Sequence, residues 1–85
     1  MASKQGASRK KVRAGEEFVF VNGATAATIA QARTQLMTLT PEQFAHHVNQ
    51  EKNDIYVWIR DCLDQTLAER IRDIKDREKL IAALR

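Results

Sequence analysis

The chain has 85 residues, 44% of them hydrophobic and 29% charged, with a formal net charge of +3. That is one small domain at most, which excludes a large core and a deep substrate pocket. A single cysteine, Cys62, excludes an internal disulfide and a cysteine-built zinc site; no apolar run nears the roughly 18 residues of a membrane span, no signal-peptide pattern follows the basic start, and the composition reads as cytoplasmic with no membrane partner.

The charge is segregated. Lys4, Arg9, Lys10, Lys11 and Arg13 fall within residues 1–15, which hold no acid. Of the chain's 14 bases, nine then face 11 acids over residues 16–85, a net of −2. Apart from Val12, residues 1–15 have little to bury, which predicts a disordered basic tail ahead of one helical domain over 16–85. Two readings of the tail stand side by side. Its five bases are possible phosphate contacts, or it is a solubilising leader.

Glu17 to Gly23 alternates Phe18 and Phe20 with Val19 and Val21. The period of two suits a strand, but no second segment shows that pattern to pair with it. The expectation is an extended lead-in that lays Phe rings on the helices, with Asn22-Gly23 as the turn.

A first helix is predicted from about Ala26 to Thr38, capped by Thr25, with Ile29, Ala32, Leu36 and Leu39 on one side. Thr40-Pro41-Glu42-Gln43 is a restart: Thr40 caps, Pro41 takes the first helical position and Gln43 can close a capping box. The second helix runs to about Asn49, with Phe44 and Val48 inward. After a polar break at Gln50 to Lys52, Asn53 caps a third helix and Asp54 suits its positive end. Its stripe is Ile55, Trp58, Ile59, Cys62 and Leu63. Asp64 caps a fourth helix, Gln65 to Ile74, and Asp76 a fifth, Arg77 to Leu84. The predicted fold is all-α, an irregular orthogonal array of four to five short helices around Trp58.

The pattern F-x-H-H-V-N-x-x-x-N-D-x-x-x-W-I-R-D, followed by L-A-E-R-I and D-R-E-K-L-I, resembles a small helical family of archaea and bacteria, found alone or attached to larger proteins and carrying no assigned activity. Its matching positions are Phe44, His47, Val48, Asn49, Asn53, Asp54, Trp58, Ile59, Leu67, Ala68 and Leu80, with Phe20 and Gly23 at the start. The resemblance covers about residues 18–85. It implies a helical fold and supplies no mechanism or cofactor.

His46, His47 and Asp54 are the one cluster that invites metal or acid–base chemistry. Neighbouring histidines on a helix point about 100° apart and no further Cys or His completes a shell, so no metal or other cofactor is expected. His47 is read as partly buried, bonded to a backbone group or to the Asn53-Asp54 turn, and His46 as exposed. No glycine-rich phosphate loop, serine elbow or Cys–base pair is present, so the chain is read as not an enzyme and Cys62 as a small core residue.

Arg70, Arg72, Lys75, Arg77 and Lys79, interleaved with Glu69, Asp73, Asp76 and Glu78, read as a salt-bridged exposed face rather than a recognition helix. Tyr56 and Val57 lie off the stripe of the third helix. Either they are exposed and form a contact patch with Met37 and His46, or the helix is buried nearly all round. The sequence therefore points to a protein–protein interaction or scaffold module, through an unidentified partner or self-association. The alternative is nucleic-acid binding through the basic arm.

Overall fold

A computed structural model describes residues 11–85, so Lys4, Arg9 and Lys10 of the expected tail lie outside it. The elements are β1 (Phe18–Val19), β2 (Thr25–Ala26), α1 (Ile29–Thr38), α2 (Pro41–His47), α3 (Asp54–Cys62), α4 (Gln65–Ile71) and α5 (Arg77–Ala83). The protein is mostly helical, with one small sheet.

Each helix starts on a side-chain oxygen that takes an otherwise unpaired backbone N–H. Thr28 accepts from Gln31, Thr40 from Gln43, Asn53 from Tyr56, Asp64 from Thr66 and Asp76 from Lys79. At Thr40 the Gln43 side chain returns the bond to the Thr40 N–H, closing the capping box. Four of these caps are the ones the sequence predicts. The first is not: α1 is capped by Thr28, because Thr25 is held in β2.

The Phe18–Val19 segment is not a lone strand. It pairs antiparallel with β2, Phe18 opposite Ala26 and Val19 opposite Thr25. The connection is tight. Gly23 N–H donates to the Phe20 carbonyl, Phe20 N–H to the Ala24 carbonyl, and Gly23 takes φ 92°. This is a three-residue hairpin loop ending on a left-handed residue, a conformation that glycine adopts without Cβ strain. The partner strand went unread because Ala24-Thr25-Ala26-Ala27 carries no large apolar residue; only its small side chains fit beneath α1.

The expected disordered tail also ends sooner than residue 15. Val12 is 6% exposed and belongs to the core, its N–H donates to the Ala27 carbonyl, and Lys11 bridges to Thr28. Hydrogen bonds alternate sides along an antiparallel strand, so residues 11–12 flank β2 on the side away from β1. A turn follows. Glu16 N–H donates to the Arg13 carbonyl, with Gly15 at φ 93°, the positive value a type II turn needs at its third position.

Two helices stop short of their predicted ends. α2 ends at His47, because Val48 turns extended and bridges to Asn53. Asn49 then holds the turn, its Oδ1 accepting from Glu51 and Lys52 and its Nδ2 donating to the Ala45 carbonyl. α4 ends at Ile71, where the buried Asn53 side chain reaches the Ile71 and Ile74 carbonyls, 3.4 Å each. One amide thus starts α3 and terminates α4.

The core is continuous from Val12 and Phe20 through Ile29, Leu36, Ile55, Ile59, Ile71 and Leu80 to Leu84. α3 packs most extensively on α4, while α1 packs on β2 and α5. The Arg77 guanidinium donates to the Leu39 carbonyl at the end of α1 and ties α5 to it.

Candidate functional site

The richest polar geometry lies where the hairpin meets α2 and α3. His47 closes α2 with its side chain 5% exposed. Nε2 accepts the Val21 N–H at 2.9 Å, and Nδ1 lies 3.1 Å from Asp54 Oδ2. An N–H donor at Nε2 requires a lone pair there, so the proton sits on Nδ1 and is donated to Asp54. Lys52 Nζ reaches the same carboxylate oxygen at 3.3 Å. Phe18 and Phe20 make T-shaped contacts with the imidazole, with centroids 5.1 and 5.7 Å away. The expectation for His47 offered a backbone group or the Asn53-Asp54 turn; the structure shows both.

Trp58 supplies the second tie across this junction. Its indole N–H donates to the Glu16 carbonyl at 2.8 Å, and its ring lies 5.6 Å from Phe18. No buried side-chain nitrogen or oxygen among the described residues lacks a partner. The polar groups of the junction are therefore spent on one another, as a structural network requires.

The predicted contact residues differ in exposure. His46 is exposed, with its ring edge against His47 at 4.9 Å. Val57 is 43% exposed on α3 and Met37 49% exposed on α1, helices that do not pack extensively on each other. Tyr56 is half-buried, its hydroxyl 3.5 Å from Glu69 and its ring under the Arg60 guanidinium at 5.3 Å. The two alternatives for this pair thus split: Val57 is exposed and Tyr56 is covered. Arg60 in turn grips Asp61 through two hydrogen bonds, which hold the Asp61 carboxyl below its ordinary range and the guanidinium above its own.

Two further exposed apolar side chains lie outside the predicted contact set. Val19, in β1, is 62% exposed, and Val21, in the turn that follows, 48%. The signal was present in the sequence: if Phe18 and Phe20 face inward, period-two alternation turns Val19 and Val21 outward.

Cys62 is half-buried rather than enclosed. It lines a cleft of about 330 Å³ with Lys11, Val12, Arg13, Glu16 and Asp61. Burial pushes its thiol up, and the nearby Glu16 and Asp61 carboxylates add to the effect, so it is a poor nucleophile. Among the described residues, no group of three or more His, Cys, Asp and Glu side chains converges on a common point.

The α4–α5 surface is ion-paired at Arg72, to Glu69 at 3.3 Å and Asp73 at 4.0 Å. Arg77, expected on that solvated face, is half-buried against Leu39 instead. Lys11 and Arg13 are exposed, but the cleft between them also carries Glu16 and Asp61. No helix is long and apolar enough to cross a membrane among the described residues. No protein-family model matches the chain, and neither a curated protein nor a solved structure is significantly similar to it.

Proposed function

We propose that the domain is a non-enzymatic protein–protein interaction or scaffold module of the cytoplasm. The supporting observation is the solvent-facing pair Val19 and Val21 on the hairpin, with Val57 exposed on α3. Apolar side chains held outward by a rigid strand and helix lose little entropy on docking, and aliphatic area gained from water favours association. The polar residues that would have suggested catalysis are committed to holding the fold. The kinship with the helical family of archaea and bacteria rests on the motif residues alone and is part of the same proposal.

The test is sedimentation equilibrium and co-precipitation of the full chain beside a variant carrying Val19→Ser, Val21→Ser and Val57→Ser. The variant is expected to stay folded and to lose self-association or a bound protein. Identical behaviour of the two proteins would remove the reading.

The exposed pair Lys11 and Arg13, which continues the basic run, favours the second reading, an arm that contacts phosphates. Residues 1–15 are the wrong piece to delete, because Val12 belongs to the core. A chain lacking residues 1–10 preserves it. Steeply salt-dependent DNA binding lost in that chain supports the arm, and no binding at low salt removes it.

A further inference from the structure

We infer that His47 is a proton-operated latch that holds the β1–β2 hairpin onto α2. The two ring nitrogens face partners of opposite kind. Nδ1 meets a carboxylate, which accommodates either the neutral or the cationic imidazole. Nε2 meets the Val21 N–H, which tolerates only the neutral one. A second proton has one place to go, the Nε2 lone pair. Its arrival sets N–H against N–H, and the Val21 donor loses its acceptor. The Nδ1–H donation to Asp54 survives the same event and gains charge. The ring therefore stays on α3 while the Val21 turn lets go.

The surroundings make this a switch rather than a simple loss of structure. Among the described residues, the charged and titratable groups around the ring are Asp54 from α3, Lys52 from the preceding turn and His46 from α2 itself. Lys52 shares the Asp54 carboxylate oxygen with the ring. The hairpin offers the ring only the aromatic rings of Phe18 and Phe20, in T-shaped contact, which supply no hydrogen-bond acceptor. The Val21 N–H sits in the turn that follows β1, directed inward at the imidazole, in a residue that is itself 48% exposed. What protonation breaks is the Val21 tie alone, about one net hydrogen bond, while Phe20 stays buried in the core, so the opening is local to the turn. Acid would loosen the turn that carries Val21. The latch stands whether or not that turn docks a partner.

The experiment is NMR on the full chain from about pH 8 to about pH 5, the range in which an imidazole changes charge. Long-range nitrogen spectra follow the protonation of each ring nitrogen of His46 and His47. Amide exchange, corrected for its intrinsic pH dependence, follows Val21. Above the transition, His47 is expected to carry its proton on Nδ1 alone. As Nε2 protonates, Val21 protection should fall about tenfold, the equivalent of one net hydrogen bond, while Ile59 and Ala68 keep theirs. In His47→Gln the side-chain oxygen can accept from Val21 without titrating, so protection there should not follow pH. The wild-type correlation carries the test alone if that variant does not fold. The latch is overturned by Val21 protection that outlasts Nε2 protonation, by Val21 protection that follows His46 instead, by the same loss in His47→Gln, or by a ring that stays neutral until the whole domain unfolds.

Discussion

The hairpin side of the molecule and the α3–α4 pair are held by different means. α3 and α4 join through buried aliphatic side chains, Ile55, Ile59, Ala68 and Ile71, none of them measurably exposed. Their contacts are many, non-directional and close in sequence. The hairpin and residues 11–16 also bury Val12 and Phe20, but their register is set by separate directional ties: Val12 to Ala27, Val21 to His47 and Glu16 to Trp58. Burial resists small displacements in every direction, whereas a hydrogen bond can be lost singly. The first region should therefore unfold as a unit and the second one tie at a time.

Substitutions can sharpen or break this contrast. Ile59→Ala leaves a cavity in the α3–α4 core and is expected to cost about 3 kcal/mol, with all probes shifting together in urea. Separate transitions for α3 and α4 would contradict their shared core. Val12→Ala removes two buried methyl groups and should cost about 2 kcal/mol. An unchanged urea midpoint would return residue 12 to a solvated tail. Trp58→Phe keeps most of the ring but leaves the Glu16 carbonyl without its indole donor. A loss of about 1 kcal/mol is expected, accompanied by faster amide exchange near residues 12–16 while α4 is unaffected. Equal loss of protection in α4 would mean that the indole acts through packing alone. The smallest effect is chemical. At about pH 8 the Cys62 thiol should alkylate more slowly in the folded chain than in urea, because burial and the neighbouring carboxylates hold it protonated. Equal rates would show that residues 11–16 do not shelter it.

The two regions also differed in how far the sequence revealed them. The helices announce themselves through caps and a period near 3.6, and Thr40, Asn53, Asp64 and Asp76 start the helices assigned to them. α2 and α4 end early for tertiary reasons invisible to periodicity: a bridge at Val48 and the Asn53 amide on the Ile71 and Ile74 carbonyls. The hairpin was half legible. β1 has the alternation of a strand, but β2 consists of alanine and threonine, whose pattern signals nothing until α1 covers it. Val12 was passed over because one valine among lysines and arginines reads as solvated. At the junction, both partners of His47 were foreseeable as types, but the junction itself brings together residues up to 42 positions apart, and no local pattern encodes that.

The bond between Trp58 and Glu16 also bears on synthesis. Within this domain Glu16 and the hairpin leave the ribosome before α3, and the indole that fastens Glu16 follows 42 residues later. α1 can cover β2 soon after the hairpin appears, but Val21 waits for His47 and Glu16 waits for Trp58. During elongation Phe18 and Phe20 are exposed to chaperones and neighbouring chains until α2 and α3 are made.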